Sequence, residues 1–510
     1  MTEKIDFHHK VILAPMVRVS TLPFRLLSLR YGADLVYCEE IIDFKILSST
    51  RVENDILGTV DYVMSDGFVV FRTCPQEKGK VFFQLGTSDP ERAVAAALKV
   101  QDDVAGIDIN MGCPKEFSIK GGMGAALLKK PEKVKQILSS LVKAVSIPVT
   151  CKIRCLPTLD ETIELAKIIE KTGVSALTVH GRTKEERPRH TNRNDFIRKI
   201  AESLSIPVIA NGGSKEMKDN SDIQKFAKNT GCTSVMVAQA AERNPSIFSK
   251  EGMIPLLDIV REYIKMAIDW DNNAINSKYC ILAMMYKDMD LKEGDQSLTA
   301  VTMEEFSEIW GLQEYHNQHR QSMNKLLAMK YDKETEIHVV TTDDGHTTIE
   351  MPFKFNKKEF PPKISPKQRL YEATKRAGIN RLEYDVTERT EDRCYNCILN
   401  VGGNLYTTPY WEKSKQLAEQ GTAMVANTVL DIEDERQFVE GGQNEALVEK
   451  WKKRKNDSDV KDIYLSFKHL LDKANEEKEK LAKKRLNDET NDSCIEVKHF
   501  VSDNHDDVVT

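Results

Sequence analysis

PVTCKIRCLPTLDETIELAKIIEKTGVSALTVHG, residues Pro148 to Gly181, carries the pattern that decides the fold. A β-branched run, Pro148 to Arg154, gives way to a polar turn. Glu161 to Gly173 then sets apolar residues at i, i+3 and i+4 and closes on glycine, as a helix does, and Ser175 to Gly181 is a second strand-like run. Two buried strands joined through a helix run parallel. The theme recurs outward in both directions: VILAP from Val11, DLVYCEE from Asp34, VFFQLG from Val81, GIDINMGCP from Gly106, PVIANGG from Pro207 and SVMVAQ from Ser234 complete a set of eight. Eight such units in about 230 residues predict an α/β fold, a closed (β/α)8 TIM barrel over residues 10–250, rather than an open doubly wound sheet. Asn54 to Arg72 breaks the alternation and reads as a hairpin inserted after the second strand.

Residues 251–330 read as a helical domain, with Leu256, Ile259, Val260, Tyr263, Ala267 and Trp270 on one apolar stripe. Residues 331–362 read as a polar linker. Residues 363–430 then give helix, three strands, helix. Ser365 to Gly378 has a cap, an early proline and a closing glycine; EYDVTER, YNCILNV and NLYTTPY alternate as half-buried strands, with a Gly402 to Asn404 turn; Lys413 to Asn427 is the second helix. Residues 431–510 are charged, poor in aromatics and expected to be disordered, apart from a helix over 463–486.

Charge is unevenly placed. The net of -6 equals the excess of 21 acidic over 15 basic residues in 431–510, while residues 354–430 hold 13 basic against 9 acidic. A locally basic module permits a phosphate-backbone partner. No apolar run reaches the roughly 18 residues of a membrane span, and Met1 to Lys10 lacks a signal-peptide core, so a cytoplasmic or nuclear location is expected. The ten cysteines are scattered, which argues for reduced thiols. Cys394 and Cys397 form a lone CxxC inside a strand pattern, and the 11 histidines show no HExxH; no metal site is expected.

In a parallel barrel, chemistry gathers at the carboxyl ends of the strands. Those ends read Ala14-Pro15-Met16, Glu39-Glu40, Gln84, Asn110 with Cys113, Lys152 with Arg154, His180, Asn211-Gly212-Gly213 and Ala238-Gln239. Gly-rich turns leading into helices expose N–H groups to an anion, so the last two ends suit a phosphate; a plain tight turn is the bland alternative. Lys152 can serve a bound nucleotide or sit on the surface. Cys113, between Gly112 and Pro114 and before Gly121, Gly122 and Gly124, faces the barrel mouth if that segment turns, and is an inert core thiol if it does not.

APMV, NMGCP with GGMGAALL, CKIR, VHGRTKEERP and VIANGG together resemble the tRNA-dihydrouridine synthases, and the module from Ile364 to Val425 is similar to a double-stranded-RNA-binding domain. The likeness spans about residues 10 to 430 and points to the eukaryotic branch acting on position 20 of the D-loop. It implies FMN as cofactor and NADPH, with NADH as alternative, as reductant. Pro15, Met16 and Val17 would line the flavin, Gln84 would meet its pyrimidine edge, Lys152 and His180 would contact it, and Asn211, Gly212, Gly213, Ala238 and Gln239 would hold its phosphate. Cys113 matches the family's proton donor. Gln239 stands where the family commonly has Arg, which leaves phosphate binding to backbone amides.

The implied partner is tRNA, with no DNA and no membrane; the sequence leaves the oligomeric state open and is compatible with a monomer. Candidate substrate contacts are Asn110, Arg154, Lys278, Lys354, Lys357, Lys358, Lys363, Arg369 and Lys415. In the last helix Lys415 fits the RNA-binding pattern, whereas Gln416 and Glu419 replace expected lysines. The rival functions are a flavin oxidoreductase of a free pyrimidine and a non-catalytic RNA-binding scaffold.

Overall fold

The computed structural model describes residues 5–480 except 65–66, 335, 343–345, 362–363, 380, 391–392, 438–441, 459 and 478–479. It divides into two compact units, Met1–Ser322 and Met323–Thr510.

The first unit is built on eight parallel strands: β1 (Val11–Leu13), β2 (Leu35–Tyr37), β3 (Val81–Gly86), β4 (Gly106–Met111), β5 (Val149–Arg154), β6 (Ala176–His180), β7 (Val208–Asn211) and β8 (Ser234–Val237). Each pairs with its neighbours in chain order, and β1 pairs with β8 at Val11 and Val235, which closes the barrel. Period-two alternation explains why the strands read as continuous apolar runs. Outward residues such as Phe83, Ile107, Ile109, Cys151, Ile153, Leu177, Val179 and Val235 pack in the core beneath the surrounding helices. Inward residues Ile12, Leu35, Tyr37, Phe82, Ala176, Ile209 and Met236 form a second core with Phe7. Inside it, Tyr37 stacks on Phe82 with centroids 4.8 Å apart and Phe7 meets Phe82 edge-on at 5.6 Å. Farther along the same strands the inward positions turn polar: Gln84, Asp108, Thr150 and Thr178 are all buried.

After β2 comes a three-stranded antiparallel sheet, Thr50–Asn54, Thr59–Val63 and Val69–Thr73, one strand more than the expected hairpin. Buried Arg25 ties it down, pairing with buried Glu77 at 2.6 Å and donating to the carbonyl of Arg72. Beyond the barrel, helices Leu256–Asp269, Ala274–Met284, Lys292–Ser297 and Met303–Ile309 belong to this first unit. The expected stripe is its packing face: Ile259, Val260, Tyr263 and Ala267 are buried, with Leu256 and Trp270 partly so.

In the second unit, helix Pro366–Arg376, strands β11 (Glu383–Arg389), β12 (Cys394–Val401) and β13 (Asn404–Thr407), and helix Lys415–Val429 follow in the α-β-β-β-α order of a double-stranded-RNA-binding fold. Ser365 and Ser414 cap the two helices by accepting from the N–H groups of Gln368 and Leu417. Two expectations need correction. Residues 331–362 are no plain linker: β9 (His338–Thr341) and β10 (Thr347–Glu350) form a hairpin whose second strand adds in parallel to β13, making a five-stranded sheet, and Ile349, Met351, Phe353 and Phe360 enter the core. Nor is 431–510 disordered throughout. Helix Gln443–Arg454 buries Leu447 and Trp451 in that core, and helical turns over 461–477 add Phe467. Residues beyond 480, and with them the end of the expected 463–486 helix, lie outside the described residues.

Truncating a buried tryptophan costs about 3–5 kcal/mol. Trp451→Ala is therefore expected to lower the unfolding temperature of the second unit by several degrees in the full-length chain. Calorimetry showing no shift would mean that the helix does not pack there.

Candidate active site

The site is assembled by register. Gln84 pairs with Asp108 and Asp108 with Thr150; Asn110 pairs with Lys152 and Lys152 with Thr178; Arg154 pairs with His180 and His180 with Asn211. Paired residues on parallel strands share a face, so these polar side chains form successive layers inside the barrel toward its carboxyl end.

The lower layer is a hydrogen-bonded chain. Asp108, fully buried, accepts from Gln84 Nε2 and from Thr150 Oγ1, both at 2.8 Å. Gln84 Oε1 accepts from Asn110 Nδ2 at 3.1 Å, and Asn110 Oδ1 accepts from the N–H groups of Gly112 and Cys113, each at 3.0 Å. Burial pushes the Asp108 carboxyl up to about 6, against the opposing pull of its two donors and Lys152. Asn110 is thus a brace for the turn carrying Cys113. Arg154 is another, donating to the carbonyls of Gly112 at 2.8 Å and Thr183 at 3.0 Å. Both were expected on the substrate; their described contacts are within the protein.

Cys113 is half-buried, and its thiol is pushed up by burial first and by the neighbouring Glu40 carboxyl second. Lys152 has no hydrogen-bond or ion-pair partner among the described residues, and burial followed by the nearby Arg154 lowers its ammonium to about 8. His180 is held well below its usual range by burial and by Lys152, Arg154 and Arg182, so it is neutral at pH 7, and its Nε2 lies 3.2 Å from Arg182 Nη1. Arg182 also donates to the Gly212 carbonyl at 2.6 Å.

At the ends of β7 and β8, Asn211 Nδ2 donates to the Met236 carbonyl at 2.8 Å, while the N–H groups of Ala238 and Gln239 reach Ser214 Oγ at 3.4 and 3.0 Å. Gly212 has φ +108°, and a Cβ there would lie 2.2 Å from Asn192 Oδ1 and 2.6 Å from His180 Cδ2. Gln239 Oε1 and Asn192 Oδ1 are buried without partners. Pro15 and Met16 follow β1 in a turn where Met16 N–H reaches Ser20 Oγ at 3.1 Å, and Val17 is exposed. A lysine with no hydrogen-bonded anion, unpartnered amide oxygens and a glycine turn packed closely on His180 fit an anionic, hydrogen-bonding ligand such as FMN. Gln84 keeps one amide hydrogen and one lone pair for it.

Asp108, Arg182, Ser214 and Glu40 complete this neighbourhood although the sequence reading assigned them no role. Among the described residues no group of three His, Cys, Asp or Glu side chains is placed to hold a metal ion.

Of the other candidate substrate contacts, Lys278 is half-buried and donates to the Leu298 carbonyl at 2.7 Å. Lys354, Lys357 and Lys415 are exposed, Lys415 lying 5.7 Å from the Tyr395 ring centroid. Arg369 is engaged by Glu372 at 3.1 Å and by Glu435. The side chain of Lys358 and all of Lys363 lie outside the described residues.

A closed (β/α)8 barrel that gathers a thiol, a lysine, a neutral histidine and a glycine turn at the carboxyl ends of its strands is an enzyme barrel. The dihydrouridine synthase (Dus) profile matches residues 12–341, and the chain belongs to that family. It is 39% identical over 325 residues to tRNA-dihydrouridine(20) synthase (NAD(P)+) of Schizosaccharomyces pombe, covering 61% of this chain and 67% of that protein. It is 42% identical over 298 residues to the protein of the same name from Saccharomyces cerevisiae, covering 54% and 77%. A solved dsRBD domain of a tRNA-dihydrouridine(20) synthase is 32% identical and covers 18% of this chain and 95% of its own, with a TM-score of 0.17.

Gly212→Ala combines a disfavoured φ with a steric clash and should destabilise the first unit by about 2–3 kcal/mol. Gly58→Ala is the control, since Gly58 has φ +64° with nothing within 4 Å of a Cβ. Thermal unfolding should separate the two variants clearly; equal shifts would show that the packing around Gly212 is slack.

Proposed function

We propose that the chain reduces a uridine of the tRNA D-loop, at position 20, to 5,6-dihydrouridine, using FMN recharged by NADPH, with NADH as the alternative. The observation that carries this reading is the shared barrel mouth, where the Cys113 turn adjoins the ring containing Lys152, His180 and the Gly212 turn.

FMN, when bound and already reduced by the nicotinamide, would supply hydride chemistry at C6 of the uracil ring. The protein's share is placement and a proton. Lys152 and neutral His180 would hold the cofactor's ring and Gln84 its pyrimidine edge, while Asn211 to Gly213 with Ala238 and Gln239 would surround its phosphate. Pro15, Met16 and Val17 would border it. The cationic cluster of Lys152, Arg154 and Arg182 favours negative charge on a ligand, which suits both a phosphate and a reduced, electron-rich ring. Cys113 gives the proton to C5. A thiol raised above its ordinary range stays protonated at neutral pH, where an ordinary carboxylate has already lost its proton.

A base within folded RNA must leave its stack to reach such a mouth, at a cost of a few kcal/mol, so the RNA needs a grip elsewhere. Lys354, Lys357 and Lys415 in the second unit are exposed cations for that grip, and half-buried Lys278 in the first would join them by releasing the Leu298 carbonyl. Glu419 does not oppose it, because Lys367 neutralises its carboxylate at 2.6 Å. A cytoplasmic or nuclear setting follows from a tRNA substrate, and no described helix is long and apolar enough to cross a membrane.

Cys113→Ala should slow dihydrouridine formation in tRNA by about 10²–10⁴-fold while FMN content and flavin reduction by NADPH persist; normal product formation would remove Cys113 from the mechanism. Reduction of free uracil or orotate by the wild type would assign a small-molecule reductase instead. In the second unit, Lys357→Glu with Lys415→Glu should weaken tRNA binding and flatten the slope of log K against log salt by roughly one for each phosphate no longer neutralised. An unchanged salt slope would take these lysines off the RNA.

A further inference from the structure

We propose that Glu40 is the positioning residue of Cys113: its carboxyl orients the thiol and returns a proton to the sulfur after each turnover. This rests on Cys113 being the proton donor of the proposed reaction.

Glu40 lies at the carboxyl end of β2, three residues past Tyr37, and the next two residues pair with the end of β3, Ile41 with Leu85 and Ile42 with Gly86. That pairing sets the side chain against Gly86, where a Cβ would lie 2.7 Å from Glu40 Oε1, and the Cys113 loop closes on the same segment, a Gly122 Cβ lying 3.5 Å from Ser88 Cβ; the carboxyl and the thiol are near enough to perturb one another. Glu40 Oε1 is buried and has no partner. On the Cys113 loop, buried Ser118 Oγ is likewise unpartnered, and a Cβ placed on Gly124 would lie 2.4 Å from that oxygen and 3.0 Å from Cys113 Cβ. The thiol therefore sits among buried oxygens that have no other employment. An unsatisfied buried carboxyl oxygen is unfavourable unless function needs it.

Other groups are disposed to let the proton move. Lys152 and Arg154, on β5, are coupled electrostatically to the sulfur, and their charge favours the thiolate left when Cys113 gives up its proton. The adjacent Glu39 is otherwise engaged, accepting from the Arg18 N–H at 2.7 Å. In the relay, the S–H bond breaks toward C5 of the nucleobase and its electron pair remains on sulfur. The Glu40 O–H bond then breaks, S–H re-forms, and the carboxylate takes a proton from water. No electrons are exchanged. Burial holds the Glu40 carboxyl up to about 7, so its acid form is present below neutrality and is lost as pH rises.

The test uses flavin-loaded full-length enzyme carrying Glu40→Gln or Glu40→Asp. Gln keeps an acceptor for the thiol but has no proton to return and no charge to oppose thiolate formation. Alkylation of Cys113 by iodoacetamide at pH 8, followed by mass spectrometry of its peptide, should run about threefold or more faster in Glu40→Gln than in wild type. Steady-state reduction of a tRNA transcript should fall by about tenfold or more, with KM for tRNA and flavin reduction by NADPH retained, and the decline in rate above pH 7 should disappear. Glu40→Asp should recover part of the rate. Unchanged alkylation, unchanged kcat, or joint loss of flavin reduction and kcat would each overturn the relay. The failures are separable: an inactive Cys113→Ala beside a fully active Glu40→Gln removes the relay alone, whereas an active Cys113→Ala removes the proposed function beneath it.

Discussion

Asp108 is the constraint around which the barrel mouth is arranged. A carboxylate with no solvent exposure is tolerable only when its lone pairs are met, and here Gln84 and Thr150 meet them from the strands on either side. Because Gln84 is committed to Asp108 by its amide nitrogen, its oxygen must face a donor, which is Asn110. Asn110 is then oriented so that its own oxygen can take the N–H groups of Gly112 and Cys113. Orientation is thus passed from a buried acid to the turn that presents the thiol, without a loop having to find its place unaided.

Charge at the mouth is one-sided in a useful way. Burial first, and then Lys152, Arg154 and Arg182 close by, hold His180 neutral, and Lys152 itself is lowered by burial and by Arg154. Crowded cations with little compensating acid make an unfavourable resting state unless an anion enters. Asp108 compensates from below, and Glu40 stands on the thiol side, partly protonated near neutrality. The cations and the proton-holding groups therefore divide the mouth between them, consistent with one part binding an anionic ligand and another handling protons.

The barrel was legible because buried parallel strands are apolar on both faces and so announce themselves as runs, and because helices punctuate them at regular intervals. The ring of strand ends was legible for the same reason. What the runs conceal is a polar residue inside one of them: Asp108 sits in GIDINM, where an inward register, not composition, marks it as part of the site. Glu40 was visible as a strand end, but its tie to Cys113 depends on how a distant loop folds back. Arg182 and Ser214 lay within or beside quoted motifs, yet their roles are hydrogen bonds to backbone atoms, which leave no sequence pattern. In the second unit, Asp344-Gly345 between HVVT and TTIE is a hairpin signal that polar flanking residues obscured. Leu447 and Trp451, four apart, likewise marked a packing face in a segment whose charge dominated the reading.

Composition also overstates the cationic character of the RNA-binding fold. Of its 13 basic residues over 354–430, Lys367 is paired with Glu419 and Arg369 with Glu372 and Glu435. Glu435 comes from the acidic C-terminal stretch, so that stretch does more than offset the module's charge in bulk; it consumes a particular guanidinium. The pairing of Glu419 works in the opposite direction, removing an anion from the first turns of the helix that Lys415 opens. Local pairing rather than net charge thus decides which cations lack a carboxylate partner, and it leaves Lys415 standing at a helix start, near the Tyr395 ring, where its charge adds to the positive end of the helix dipole.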